Sequence, residues 1–252
     1  MVAIILAAGY ATRLYPLTRD KPKALLEIGG VTMLDRIIDK LSAIKEVTLT
    51  AIISNDKFYG QFLEWEKRRA ADGADTDARG SNVIILNDGT KSESDRLGAI
   101  GDIKYAIDRL AVDDEIIVIA GDNLFTFDLT DLYAFYKKMD ADCVSVKKMD
   151  DREAIKSMGV AVVTADMKVV DFEEKPASPK SDIAVYAIYV YKRNTLPLFK
   201  TYLDEGNPHD APGHFPAWLC KRRLVAAYAF DGECYDVGTV DAYNSLNRKY
   251  AD

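Results

Sequence analysis

The sequence predicts an α/β fold, a Rossmann-like three-layer α/β/α arrangement around a central mixed, mostly parallel sheet. Three observations predict it. Short apolar runs alternate with helix-period segments through the first half, which calls for a parallel sheet covered on both faces. Three of those runs pass at once into a polar or glycine-bearing turn, at 7–13, 87–96 and 121–123. In such sheets ligands gather outside the carboxyl ends of the strands, so these turns should meet at one edge. The second half is denser in strands, which makes the sheet mixed.

In chain order, Val2–Leu6 is the first strand. Leu34, Ile37, Ile38 and Leu41 fall at i, i+3, i+4 and i+7, with Thr32 placed to cap that helix. A β-branched strand is expected at 47–53. A helix is expected at 58–70, with Phe58, Phe62 and Trp65 on one side. The Gly/Asp-rich stretch 71–82 reads as a mobile surface loop. A short strand at 83–86, a helix at 99–110 carrying Ile103, Ile107 and Leu110, and a buried-type strand at 115–120 follow. Further strands are expected at 144–146, 160–163, 169–172, 183–191 and 224–230. No repeat, low-complexity tract or Pro-rich linker interrupts the chain, so one domain over 1–252 is expected.

Composition excludes several classes of function. Apolar residues are 48% and charged residues 29%, an ordinary globular balance. The longest apolar runs are far shorter than the roughly 20 residues a bilayer requires, so no membrane association is expected. The N-terminus lacks a basic region before a long apolar stretch, and Cys143, Cys220 and Cys234 have no metal-ligand spacing. Reduced thiols in a cytoplasmic protein are the expectation. His209 and His214 stand alone in a loop-like stretch and form no metal signature. A net charge of −7 argues against a nucleic-acid partner. Lys221, Arg222 and Arg223 read as the solvated end of a helix beside Trp218 and Leu219, and Trp218 itself as core or interface packing rather than a sugar platform. Any phosphate-binding cations must therefore be concentrated in one pocket. The sequence does not fix oligomeric state, and a homo-oligomer is compatible with it.

Four segments carry chemistry. The first runs from Leu6 through Ala7, Ala8, Gly9, Tyr10, Ala11, Thr12 and Arg13 to Thr18, then Lys21, Pro22 and Lys23. Small residues at 7, 8, 9 and 11 let backbone approach a bulky ligand, and free N–H groups in such a turn cradle phosphate oxygens. Arg13 and Lys23 ride on a loop stiffened by Pro16 and Pro22, which is costly to order unless an anion lies between the two cations. The segment is neither the common ATPase phosphate loop nor a dinucleotide fingerprint, lacking Gly-Lys-Ser/Thr and the third glycine. The second segment, Gly121-Asp122-Asn123, follows a buried-type strand. It is a good turn sequence, and also a place where hard Mg²⁺ finds an oxygen ligand. The third is Phe172-Glu173-Glu174-Lys175-Pro176, which by itself is a strand exit with solvated charges. The fourth is Tyr235-Asp236-Val237-Gly238-Thr239, where Thr239 suits an N-cap.

Together these segments resemble the sugar-phosphate nucleotidyltransferases (NDP-sugar pyrophosphorylases), in a short form related to glucose-1-phosphate thymidylyl- and uridylyltransferases. Their opening pattern is roughly Gly-x-Gly-Thr-Arg-Leu-x-Pro-Leu-Thr, a gap, then Pro-Lys-x-Leu. It is matched at Gly9, Thr12, Arg13, Leu14, Pro16, Leu17, Thr18, Pro22, Lys23 and Leu25. Ala11 departs from it, and a positive φ there would be strained. The resemblance covers essentially the whole chain and implies an enzyme that condenses an NTP with a sugar 1-phosphate and releases pyrophosphate. It implies a nucleotide site over residues 6–13 with Lys23, in which Arg13 and Lys23 are catalytic. It also implies Mg²⁺ on Asp122 and Asp236, Lys175 holding the sugar phosphate, and Glu174 touching sugar hydroxyls. Gly159 and Tyr189, with Asp122, complete the expected substrate residues.

Base recognition is less legible. Asn87 could supply an amide and Leu97-Gly98-Ala99 the helix start, with Arg96 near the triphosphate, which adds Asn87 and Gly98 to the nucleotide residues. Three alternatives stand beside this reading. A CTP-dependent enzyme for a phosphorylated alcohol such as phosphocholine would want an aromatic cage, for which Tyr186, Tyr189 and Trp218 are available. A non-catalytic nucleotide-sensing subunit would have degraded lysine and metal positions, and these are intact. A glycosyltransferase using a finished nucleotide sugar would not need the Arg13/Lys23 loop.

Overall fold

The computed structural model describes residues 1–71 and 82–250; the loop expected at 71–82 lies almost wholly outside them. The fold is α/β with a mixed, mostly parallel sheet, and the described residues form seven α-helices. Contacts divide the chain into two compact units, Met1–Leu97 with Ile119–Thr126 and Glu233–Asp252, and Gly98–Val118 with Phe127–Gly232. Among the described residues no helix is long and apolar enough to cross a membrane.

In the first unit, Val2–Leu6 pairs in parallel with Leu49–Ser54, which pairs in parallel with Asn82–Asn87. Leu6 faces Ile53 and Ile53 faces Leu86, so all three strands end at one edge, where the backbone N–H of Gly121 also donates to Leu6 O at 2.9 Å. The predicted gathering of turns is therefore built by register. Ile4, Ile5, Ile52 and Ile53 are fully buried in this sheet. The helix Met33–Leu41 buries Leu34, Ile37, Ile38 and Leu41, and Thr32 Oγ1 accepts from Asp35 N at 3.0 Å, the cap read from sequence. The next helix, Tyr59–Ala71, begins after Phe58, whose N–H donates to the Asn55 side chain at 3.0 Å.

Two features of this unit matter most for the site. A short antiparallel ribbon pairs Asn123–Phe125 with Cys234–Asp236, placing Asp236 opposite Asn123 and so beside Asp122. The last helix, Val240–Lys249, is capped by Thr239 Oγ1 accepting from Ala242 N at 3.2 Å. Its Leu246 joins a buried cluster with Leu26, Ile28, Met33, Leu124 and Val237, which anchors both strands of the ribbon.

In the second unit, Ile183–Tyr191 is antiparallel to Asp142–Lys148 and to Gly159–Val163. Gly159–Val163 is antiparallel to Val169–Glu174, and Val225–Ala229 runs parallel to Asp142–Lys148. Helices Leu129–Met139 and Leu196–Asp204 have no counterpart in the sequence reading. Phe199 stacks on Phe215 at 3.8 Å, with Tyr202 and Trp218 edge-on or stacked around them. Trp218 is core, as expected; its Nε1 donates to Glu205 Oε2 at 2.7 Å and the Arg222 guanidinium lies over its ring at 4.0 Å.

Candidate active site

At the common strand edge of the first unit a cavity of about 140 Å³ is lined by Leu6, Ala7, Gly9, Ala11, Arg13, Lys23, Ala24, Gly121 and Asp122. Gly121 is needed there by close approach. A Cβ at 121 would lie 3.0 Å from Leu6 O and 3.3 Å from Ala24 Cβ, so a side chain there would strain the turn that presents Asp122. At Gly9 an added Cβ would meet nothing within 4 Å, so this face of the turn is open to a ligand. Ala11 adopts φ 49° and ψ 43°, the left-handed conformation that the family pattern assigns to glycine. Thr18 Oγ1 fixes it by donating to Ala11 O at 2.7 Å.

The loop carrying the two cations is partly ordered by its own turns and ion pairs. Thr12–Leu14 and Lys23–Leu25 form 3₁₀ turns, and the anions that meet Lys23 are the protein's own. Lys23 Nζ donates to Asp122 Oδ2 at 2.6 Å and to Asp236 Oδ1 at 3.2 Å. The lysine side chain is 12% exposed, against 34% for Asp122 and 59% for Asp236. Burial alone would push the ammonium down, but the two carboxylates outweigh it and hold Lys23 above its ordinary value, so it is charged across the neutral range. Arg13 lines the same cavity, is exposed, and makes no ion pair among the described residues.

Two carboxylates that reach one cation are a fitting donor set for a hard divalent ion, whose preferred ligands are oxygens. Among the described residues no third acidic, His or Cys side chain joins them. Any remaining ligands would be neutral protein oxygens, phosphate or water.

Other expected nucleotide residues play supporting parts. Ala8 O accepts from Asn55 Nδ2 at 2.8 Å. Tyr10 turns inward against Phe58, with ring centroids 6.4 Å apart, and burial pushes its phenol up. Thr12 opens a 3₁₀ turn. Asn87 also makes local contacts, its Nδ2 donating to Asp56 Oδ1 at 2.8 Å and its Oδ1 accepting from Gly89 N at 2.9 Å.

Of the expected substrate residues, Asp122 lies in the first unit and Gly159, Glu174, Lys175 and Tyr189 in the second. Glu174 faces Gly159 across the antiparallel pair, and a Cβ at 159 would lie 3.1 Å from Glu174 Oε2. A Cβ at Gly213 would overlap the same oxygen. Two glycines thus make the space in which this carboxylate rests. Burial pushes the Glu174 carboxyl above its ordinary value, Asp210 adds to the rise, and Lys175 opposes it. Tyr189 is buried nearby in charge terms, its phenol raised by burial and by Glu174. Lys175 is exposed at φ 48°, its N–H donating to Met158 O at 3.0 Å. Gly98 has φ +75°, and a Cβ there would overlap His209 O, so its role in this unit is tight packing at the start of Gly98–Arg109. The close approaches at Gly121 and Gly213 were not legible in the sequence, because what each glycine avoids is a contact with a distant segment. The proposed aromatic cage does not assemble as an open surface. Tyr186, Tyr189 and Trp218 are 8%, 2% and 9% exposed, each packed among other rings.

A family model described as nucleotidyl transferase matches residues 2–252. The chain belongs to the nucleotidyl transferase family. A family relative, the glucose-1-phosphate adenylyltransferase of Thermomicrobium roseum, is 31% identical over 98% of this chain and 59% of its own length. The chain thus spans a little under two thirds of that relative. Two solved structures share the family fold. One is a UDP-glucose pyrophosphorylase complexed with UDP-glucose, with a TM-score of 0.82 at 20% identity, covering 99% of this chain and 97% of that one. The other is a Bacillus anthracis protein assigned as a glucose-1-phosphate thymidylyltransferase, in complex with a sucrose. Its TM-score is 0.81 at 24% identity, over 100% of this chain and 96% of its own.

Proposed function

We propose that this chain is a cytoplasmic nucleotidyltransferase, working as one catalytic domain, that joins an NTP to a sugar 1-phosphate. The carrying observation is one cavity in which Arg13, Lys23 and Asp122 meet a small-residue turn, with Asp236 tied in through Lys23. Family membership and the relative from Thermomicrobium roseum support the same chemistry.

The reaction is attack by an acceptor phosphate oxygen on the α-phosphorus. The bond from that phosphorus to the bridging oxygen breaks, and pyrophosphate leaves with the electron pair. A phosphate dianion is already a nucleophile at neutral pH, so no strong base is needed, and catalysis is positioning plus charge neutralisation. The turn at Ala7, Gly9 and Ala11 receives the triphosphate. Arg13, exposed and without an ion pair among the described residues, neutralises the departing pyrophosphate, and Lys23 offsets charge on the triphosphate. Lys175 orients the acceptor phosphate, while Glu174, held between Gly159 and Gly213, accepts hydrogen bonds from sugar hydroxyls. Asp122 and Asp236 would hold Mg²⁺, which supplies charge neutralisation on phosphate oxygens.

A matrix of NTPs against sugar 1-phosphates and phosphocholine, read by pyrophosphate release, tests this. Release should occur with at least one NTP and a sugar 1-phosphate, and fall about a hundredfold or more in Lys23→Ala. Release only with CTP and phosphocholine, or undiminished release in Lys23→Ala, would contradict the reading.

A further inference from the structure

The arrangement at Lys23 implies more than charge balance, granted the reading above that Asp122 and Asp236 take a divalent cation. One ammonium holds Asp122 Oδ2 and Asp236 Oδ1 together, at 2.6 and 3.2 Å. These are oxygens a metal ion would need. An ammonium and a divalent cation on the same oxygens repel each other, and Arg13 on the cavity wall adds to that repulsion. We propose that Lys23 makes divalent-cation binding conditional on a polyphosphate: its ammonium keeps the two carboxylates occupied until a polyphosphate takes it over.

Three features favour such a handover. The backbone of Lys23 is fixed, because Leu25 N donates to Pro22 O and Leu26 N to Lys23 O, both at 3.0 Å. The four-carbon stem is not so fixed, and the side chain already lines the cavity, so its head can turn toward a ligand without backbone movement. At 12% exposure that ammonium is poorly hydrated away from its carboxylates, so another anion replaces them better than water does. The open face at Gly9 offers room for one. A polyphosphate both recruits Lys23 and brings oxygens to complete the metal's coordination, so cation and nucleotide enter together.

The test is Mn²⁺ binding to the intact protein by electron paramagnetic resonance, without nucleotide. Lys23→Met should bind Mn²⁺ about tenfold or more tightly than wild type, and Lys23→Arg, which keeps a cation, should not. Adding Asp122→Asn to Lys23→Met should abolish the gain. If Lys23→Met does not fold, Lys23→Gln serves the same comparison. In wild type, inorganic triphosphate should bring Mn²⁺ onto the protein, read as enhanced water-proton relaxation. Equal Mn²⁺ affinity in wild type and Lys23→Met, a gain that survives Asp122→Asn, or no triphosphate-dependent enhancement would each overturn the proposal. Pyrophosphate release by wild type with unchanged Mn²⁺ affinity in Lys23→Met removes the gate and leaves the catalytic reading. Tighter Mn²⁺ binding without release from any substrate pair does the reverse.

Discussion

Gly213 abuts the Glu174 carboxylate so closely that a Cβ at position 213 would overlap Oε2. The neighbouring contact is the end of a side chain, but that end is already confined by Gly159 and Phe172, so it has little room to give. Gly213→Ala should therefore shift Glu174 and cost about 1–3 kcal/mol, the usual range for overpacking. Urea unfolding measures the loss. If Glu174 serves the acceptor, KM for the sugar 1-phosphate should rise while KM for the NTP holds. An unchanged acceptor KM would detach Glu174 from that role.

The same carboxylate sets a pH dependence. Burial raises its folded-state value above the ordinary 4.5, so ionised Glu174 is penalised in the folded protein. A raised group contributes stability below its unfolded value and loses it as pH rises through the folded one. Wild type thus pays at neutral pH, and the neutral amide in Glu174→Gln does not. Glu174→Gln should melt higher than wild type at about pH 7, with the difference shrinking toward about pH 4. A gain of the same size at both pH values would show that charge is not the cause.

Ala11 bears on how well the loop can be improved. A left-handed alanine costs about 1–2 kcal/mol, and replacing it by glycine returns about 0.4–1 kcal/mol to the unfolded chain. Ala11→Gly should therefore leave stability unchanged or raise it by up to about 1.6 kcal/mol in urea unfolding, since its φ is 49°. A clear loss would mean that the alanine methyl makes contacts worth more than the strain.

Ala11 also marks where sequence was sufficient. Its strain follows from one residue in a pattern, and the Thr32 and Thr239 caps likewise depend on residues three positions away. The strands Val2–Leu6 and Ile183–Tyr191 were legible because β-branched runs declare themselves. The ribbon of Asn123–Phe125 and Cys234–Asp236 was not, since three-residue strands have no period and its partners are far apart in sequence. Lys23, Asp122 and Asp236 were each marked by a motif, yet the ion pairs among them depend on that ribbon's register. Asn87 shows another kind of gap: its amide was read as a base contact, and the turn to Gly89 and the contact to Asp56 that it also makes could not be read from its place in the sequence.

The two carboxylates on Lys23 are not equivalent, and their difference can be measured. Asp122 makes the shorter contact, 2.6 Å against 3.2 Å, and is 34% exposed against 59% for Asp236. A more exposed partner is better screened and contributes less, about 0–1 kcal/mol for a surface pair. Removing the less exposed one leaves a nearly buried ammonium short of its main acceptor, which costs about 1–3 kcal/mol. Asp122→Asn should therefore lower the unfolding midpoint clearly more than Asp236→Asn, with both proteins studied free of metal and nucleotide. If the proposed reaction is right, both variants should also lose pyrophosphate release, because the second carboxylate matters to the reaction even where it matters little to the fold. Equal stability losses would mean that Lys23 is shared evenly, and normal release from Asp236→Asn would take that residue out of the reaction.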